Sequence, residues 1–315
     1  MTEADARALL PRFGASANQF APCFGRDVQR DAASRYRAGL VNDSKRKSMQ
    51  AMHGRLSDAG SYQALQHFIT HSPWTVAPVW ARLHVLIPDR GGILALDDTG
   101  LPNQGTQSVG DKREYCGALG KTGNCQVGGS TALIGPTLVW PTNWEPYLPA
   151  EWAGDPDRRD RARVPTTVRF RDKWRIGLAH TRTILKAGFA IEAVVADAYY
   201  GTTTAFRTAL ERLGPRYAVA VRGVLHAWAP GAATSCSLEA MGRALPRPAW
   251  RRVTRGQCQH RVVLSRDRRQ ACPSSPTTVS DKRRRDCPVI REPRVRRSPT
   301  TMSPDRRVSH APVAG

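Results

Sequence analysis

The chain has 315 residues, of which 48 are basic and 26 acidic, so its formal net charge is +22 and its pI is near 10.8. This length can bury a substantial core and hold two domains, and the charge favours a polyanionic partner such as nucleic acid, although a basic face can also be simply solvated. No run approaches the roughly 18 apolar residues of a membrane span, the N-terminus lacks the pattern of a signal peptide, and the seven cysteines include no C-x-x-C pair. We therefore expect reduced thiols, no membrane partner and a bacterial cytoplasmic location.

Residues 1–90 are predicted to be mostly helical. Apolar residues recur there at helical spacing, at Tyr62, Leu65, Phe68 and Ile69. The stretch NDSKRKSMQAMHGRL (42–56) places three basic residues at a predicted helix start, where positive charge opposes the helix dipole. This arrangement indicates either an anionic partner or an exposed basic turn.

Strand-like and helical segments alternate after Gly91-Gly92. The predicted strands cover residues 93–96, 125–135, 137–141, 190–197 and 216–223. A helix is predicted over 203–214, and another from an amphipathic stripe at Trp174, Leu178, Thr181 and Leu185 that ends near Gly188. The polar, Pro-bounded stretch 149–165 is predicted to be a surface loop. This order of elements indicates an α/β fold.

The composition changes near residue 255. Residues 251–315 hold 16 Arg and one Lys against five acids, no aromatic residue and seven prolines. Such a segment cannot bury enough apolar area to offset its ordering entropy. We predict a disordered basic tail over 255–315.

Two acids stand where apolar strands are predicted to end. Asp97 follows ILAL (93–96) and Asp197 ends AIEAVVAD (190–197). Sites in open α/β sheets form beyond the carboxyl ends of strands, and two such carboxylates can share Mg²⁺, which prefers oxygen ligands. The alternative is that each aspartate only caps a helix or a turn.

The stretch LALDDTGLPNQGTQSVGDKREYCGALGKTGNCQVGGSTALI (94–134) resembles the first catalytic block of insertion-sequence transposases with an Asp-Asp-Glu (DDE) active site. VVADAYYG (194–201) looks like the block around the second aspartate of that family. Two stretches upstream, GLVNDSKRKSMQAMHGRL and YQALQHFITHSPW, resemble its helical DNA-binding part. The resemblance covers roughly residues 13–254.

The resemblance implies a helical DNA-binding domain over 1–90 and a ribonuclease-H-like catalytic domain over 91–254, with a mixed sheet and flanking helices. It also implies that Asp97 and Asp197 are catalytic ligands of Mg²⁺ or Mn²⁺. Successive side chains of a strand face opposite sides, so only one of Asp97 and Asp98 can face the site. Asp98 is the reserve candidate for the first ligand. The implied partners are the double-stranded terminal repeats and the target DNA in the bacterial nucleoid, and a further copy of the chain, since transposases usually act as assemblies.

The sequence departs from the family at three places. Asn103-Gln104 replaces the usual lysines, and Glu114 stands where Gln is common. The third acid has no counterpart, since no acid after Asp197 stands in the family's Glu-bearing helix pattern; these acids are Glu211, Glu239, Asp267, Asp281, Asp286, Glu292 and Asp305.

A frameshift or truncation after PAWRRVT (248–254) would explain both the lost acid and the changed composition; the rival explanation is a genuine basic DNA-binding extension. The expected function is then Mg-dependent DNA cleavage and strand transfer, defective in this chain. The alternatives are an inactive DNA-binding remnant and a fragment that does not fold stably.

Overall fold

The computed structural model describes residues 3–45, 47–56, 58, 60–105, 107–229, 231–246, 251–253, 263–265 and 290–291. The chain divides into two compact units. Unit 1 comprises Met1–Ala196 and Thr203–Tyr217, and unit 2 comprises Asp197–Thr202 and Ala218–Gly315. Among the described residues, no helix combines the length and the apolar character that crossing a membrane requires.

Helices make up the first part of unit 1. They are α1 (Glu3–Asn18), a 3-10 turn (Ala21–Cys23), α2 (Asp27–Val41), α3 (Met49–His53), α4 (Tyr62–Thr70) and α5 (Val76–Leu86). Leu65 and Phe68 of the predicted stripe are buried, whereas Ile69 is exposed. The ring of Phe68 stacks on that of Trp74 with 5.4 Å between centroids, and the Trp74 indole N–H donates to the Phe68 carbonyl at 2.8 Å. The α4 end is therefore fixed by both packing and a hydrogen bond.

A mixed sheet follows the helices. Its strands are β1 (Gly91–Pro102), β2 (Lys112–Cys116), β3 (Lys121–Ile134), β4 (Val139–Pro146), β5 (Ala190–Ala196) and β6 (Arg216–Val219). The strand order is β2-β3-β1-β5-β6, and β4 also pairs with β3. Strand β1 is antiparallel to β3 and parallel to β5. An α/β class with a mixed sheet is thus observed.

The first strand is longer than the sequence predicts. Its parallel pairing with β5 ends at Leu96 and Ala196, but its antiparallel pairing with β3 continues to Pro102 and Cys125. The polar residues after Leu96 remain in the strand because β3 still satisfies their backbone hydrogen bonds. Strand β2, which the sequence does not predict, pairs with residues 121–125 at the start of β3.

The predicted surface loop 149–165 contains two short helices, α6 (Ala150–Ala153) and α7 (Pro156–Arg161). Asp155 starts α7, because its carboxylate accepts a hydrogen bond from the Arg158 backbone N–H at 2.9 Å and proline suits the next position. Trp152 is buried, and its indole N–H donates to the Asp111 carbonyl at 2.8 Å. The Pro and Asp residues that suggested a loop are therefore helix-start signals here.

Two longer helices pack in unit 1 after β4. In α8 (Lys173–Lys186), Leu178 and Thr181 of the predicted stripe are buried, and Gly188 follows the helix at a φ of 80°. Helix α10 (Thr204–Leu213) buries Phe206 and Leu210 and packs on α8. The sequence predicted both helices within a few residues.

Unit 2 contains shorter elements. They are α9 (Ala198–Thr202), β7 (His226–Trp228), β8 (Ser235–Ser237), α11 (Leu238–Ala244), β9 (Arg251–Val253), β10 (Val263–Ser265) and β11 (Ile290–Arg291). Strands β7 and β8 are antiparallel, and β9, β10 and β11 form a second antiparallel sheet. The remainder of 255–315 lies outside the described residues, so the predicted disorder of the tail stays a prediction.

Candidate functional site

The side chains of β1 alternate between the two faces of the sheet. Leu94 and Leu96 are buried, and Asp97 is exposed. Because successive side chains of a strand point to opposite faces, Asp97 and Asp98 lie on opposite faces, and Asp98 shares the face of the two leucines. Helix α8 packs on that buried face, where Ile176 approaches Gly129 of β3.

Asp98 forms an ion pair with the first residue of α8. Its Oδ2 lies 2.7 Å from Nζ of Lys173, which is also 3.8 Å from Oε2 of Glu114. Only 15% of the Lys173 side chain and 22% of the Asp98 side chain are exposed. The charge of Asp98 is thus matched within the protein by a largely buried ammonium group.

Asp97 lies on the exposed face, in a row of residues across three strands. In the registers, Asp97 is opposite Ser130 of β3, and Ser130 is opposite Trp144 of β4. The Ser130 hydroxyl donates to the Asp97 carbonyl oxygen at 2.9 Å, and the Asp97 carboxylate accepts from the Asp98 backbone N–H at 2.8 Å. The carboxylate of Asp97 is therefore positioned locally, at a surface that solvent reaches.

Asp197 belongs to unit 2 and immediately precedes α9. Its Oδ1 accepts hydrogen bonds from the backbone N–H groups of Tyr199 at 3.0 Å and Tyr200 at 3.4 Å. The residue is exposed. Asp197 thus caps α9, which is the alternative role that the sequence left open for this aspartate.

Two of the seven acids after Asp197 are described, and both have a partner. Glu211 in α10 accepts a hydrogen bond from the Tyr217 hydroxyl at 2.9 Å. Glu239 in α11 pairs with Arg243 at 2.6 Å. The other five lie outside the described residues, and within the described part of the chain no three His, Cys, Asp or Glu side chains group as a metal site.

Sequence reasoning missed the residues around Asp97 and Asp98. Lys173 directly precedes Trp174, the first residue of the predicted α8 stripe. Ser130 lies inside a predicted strand and Trp144 just after one, and neither belongs to a motif. Their roles depend on strand register and helix packing, which bring together residues far apart in the chain. Glu114 departs from the family, which commonly has Gln there, and the Lys173 ammonium group at 3.8 Å gives this acid a structural partner.

A curated relative, "Probable transposase for insertion sequence element IS701" from Microchaete diplosiphon, is 29% identical over 202 residues, covering 62% of this chain and 50% of the relative. The chain therefore spans about half the length of that relative. A solved structure, the "Drosophila P element transposase strand transfer complex", is 13% identical and covers 64% of this chain and 42% of that chain, with a TM-score of 0.20, which is too low to bear on the fold.

A family model described as "DDE superfamily endonuclease" matches residues 19–271, which are most of the chain and reach past the boundary at residue 254 suggested by composition. With the family matched over that length, the chain belongs to the DDE superfamily endonucleases.

Proposed function

We propose that the chain is an insertion-sequence transposase that binds double-stranded DNA at terminal repeats and at a target site. We also propose that Asp97 and Asp197 are ligands of a divalent ion, Mg²⁺ or Mn²⁺. Membership of the DDE superfamily endonucleases and the similarity to a transposase over 202 residues support this function. The net charge of +22 supports a polyanionic partner.

The observation that carries the proposal is the register of β1 and β5. Leu96 and Ala196 are the last paired residues of these parallel strands, and Asp97 and Asp197 are the next residues of each chain segment. The carboxyl ends of parallel strands are where sites form in open α/β sheets. The position of each aspartate directly after the paired residues of its strand supports its assignment as a ligand.

The choice between the two aspartates of β1 follows from their surroundings. Asp98 faces α8 and pairs with Lys173, whereas Asp97 is on the exposed face. A cation at Asp98 would compete with a largely buried ammonium group for the same carboxylate. Asp97 is therefore the proposed ligand, in agreement with the residue that the family resemblance indicates.

The donor chemistry of the two residues fits a hard divalent cation. Both are exposed carboxylates, and oxygen ligands are what Mg²⁺ prefers. When bound, such an ion lowers the pKa of a water molecule and stabilises charge on the leaving oxygen of a phosphodiester. Asp97, in β1, and Asp197, which precedes α9, would each supply carboxylate oxygens to such an ion.

We further propose a ribonuclease-H-like sheet, supported by the antiparallel pairing of β1, β2 and β4 with β3 and by the parallel pairing of β1 with β5. Residues 1–90 would contribute DNA binding, the chain would act as a homo-oligomer, and the site of action would be the bacterial nucleoid. Cleavage would be defective, because Glu211 and Glu239 have other partners and the family's glutamate pattern has no counterpart in the sequence. The lack of a third acid also supports a second candidate function, a DNA-binding transposase remnant that does not cleave.

The test is nicking of a duplex that carries the terminal repeat flanking the gene, with Mg²⁺ or Mn²⁺. Weak nicking that is lost in Asp97→Asn and in Asp197→Asn, but retained in Asp157→Asn, would support the proposal; Asp157 is an exposed aspartate on α7 and serves as the matched control. Salt-sensitive binding without nicking would support the second candidate. Nicking that survives Asp97→Asn would contradict the assigned site.

A further inference from the structure

The exposed face of the sheet carries a tryptophan beside Asp97. Trp144 in β4 is 39% exposed, although tryptophan side chains are on average highly buried. Asn143, the residue before it, is buried on the opposite face with its cross-strand partner Thr131. The strand alternation therefore holds Trp144 on the same face as Asp97 and Ser130.

A glycine beneath the indole fixes its position. A Cβ added to Gly128 of β3 would lie 2.4 Å from two carbon atoms of the Trp144 ring and 2.6 Å from its nitrogen. The ring thus rests directly on the backbone of Gly128, in space that any other residue would fill. Its exposed surface is on the side away from Gly128.

The indole and the Asp97 carboxylate belong to one continuous patch of unit 1. Asp97, Ser130 and Trp144 are opposite one another on three adjacent strands, so about 10 Å separates the backbones of Asp97 and Trp144. Gly128 is opposite Thr99, and the Thr99 hydroxyl donates to that of Ser130 at 3.3 Å. An acid and an aromatic ring therefore border a short polar surface.

We propose that Trp144, supported by Gly128, stacks on one unpaired base of a DNA strand whose phosphodiester lies at Asp97. The identity of the ligand as DNA rests on the proposed function. Aromatic side chains stack on every base because each base has a π-face, and a flat ring held by the backbone loses little entropy on stacking. The patch would thereby hold the strand next to the reacting bond without reading its sequence.

The experiment uses a short single-stranded oligonucleotide that contains 2-aminopurine, whose fluorescence falls when it stacks on an aromatic ring. The full chain is titrated in EDTA, so that cleavage cannot occur. We expect quenching with the wild-type protein and with Trp144→Phe, and its loss in Trp144→Leu and Trp144→Met, which still cover Gly128 with apolar atoms. Affinity should fall roughly 5- to 150-fold in the last two variants.

Trp228→Ala is the matched control, because Trp228 is 51% exposed on a strand of unit 2, and it should quench like wild type. Circular dichroism checks the fold of each variant, and the pair Leu and Met guards against one of them failing to fold. Equal quenching and affinity in wild type, Trp144→Leu and Trp144→Met would overturn the proposal, as would no quenching by wild type. Binding of a peptide in place of the oligonucleotide at Trp144 would also overturn it.

The same titration is separable from the test of the proposed function. If the chain quenches 2-aminopurine through Trp144 but does not nick a terminal-repeat duplex, the cleavage function fails and the stacking site stands. If the chain nicks the duplex but Trp144→Leu and Trp144→Met leave quenching and nicking unchanged, the stacking site fails and the cleavage function stands.

Discussion

Asp97 and Asp98 are adjacent in the chain but have different surroundings, because a strand sends successive side chains to opposite faces. Asp98 meets Lys173 at 2.7 Å on the face covered by α8. Asp97 lies on the exposed face, near Ser130. The two residues therefore have separable contributions, Asp98 to stability and Asp97 to the proposed chemistry.

Replacing each aspartate by alanine should separate these contributions. Asp98→Ala removes the nearest carboxylate from an ammonium group that is only 15% exposed, so we expect a loss of about 1–3 kcal/mol in the free energy of unfolding. Asp97→Ala changes an exposed side chain and should cost less than about 0.5 kcal/mol. Urea unfolding of the two variants measures both values, and a larger loss for Asp97→Ala would show that the ion pair is not the stabilising contact.

Consecutive residues of β4 contact different neighbours, because their side chains lie on opposite faces of the sheet. Trp144 rests on Gly128 on the exposed face, and Glu145 faces α8, where it contacts Arg171 and His180. Strand β4 thus holds both the proposed stacking ring and a link between the sheet and its covering helix.

The contact between Trp144 and Gly128 should appear as a coupling between two substitutions. Gly128→Ala places a methyl group 2.4 Å from the indole, and we expect a cost of about 1–3 kcal/mol from overpacking. In a Trp144→Ala background the same change should cost much less. Gly117→Ala is the control, because a Cβ there meets nothing within 4 Å. Equal costs of Gly128→Ala in the two backgrounds, measured by urea unfolding, would contradict the contact.

Glu145 should make stability depend on pH in the acid range. Its pKa is held below the ordinary 4.5, mainly by the His180 imidazole and also by the Arg171 guanidinium, while partial burial acts in the opposite direction. Because the folded-state pKa is below the unfolded value, the carboxylate stabilises the fold above about pH 4.5 and this contribution is lost as the pH falls through the folded-state pKa.

We therefore expect the urea midpoint of the wild type to fall more steeply between about pH 5 and about pH 3 than that of Glu145→Gln, which cannot titrate at this position. Glu192→Gln, a change at an exposed residue of β5, should follow the wild-type curve. Parallel curves for wild type and Glu145→Gln would mean that another group controls the acid transition.

Elements with a complete local pattern were predictable from the sequence. Helix α8 has both an apolar stripe and a terminal glycine, and β5 is a short apolar run that ends at an acid. The end of β1 was not predictable, since residues 97–102 remain in the strand only through their pairing with β3, about 30 residues away in the chain. The roles of Lys173 and Trp144 could not be predicted for the same reason, because strand register and helix packing determine their partners. Asp97 and Asp197 could be selected because strand ends and a family resemblance both pointed to them.

At the scale of the whole molecule, the charge is unevenly distributed along the chain. Of the 48 basic residues, 17 lie in residues 251–315, together with only five acids. Protein cations that neutralise phosphates release counterions from DNA, and each such contact adds about 0.9 to the salt dependence of binding. Under the proposed function, the tail would therefore add a sequence-independent attraction to DNA, whether it arose by a frameshift or as a native extension.

Neutralising three tail arginines should lower that salt dependence without removing DNA binding. We expect the plot of log affinity against log salt to become shallower by up to about 2.7 when Arg283, Arg284 and Arg285 are replaced by glutamine. Replacing the same residues by lysine keeps the charge and should leave the slope unchanged. Fluorescence anisotropy with a random-sequence duplex at several salt concentrations gives each slope. An unchanged slope in the glutamine variant would show that these three residues do not contact phosphates and that other basic residues carry the salt dependence.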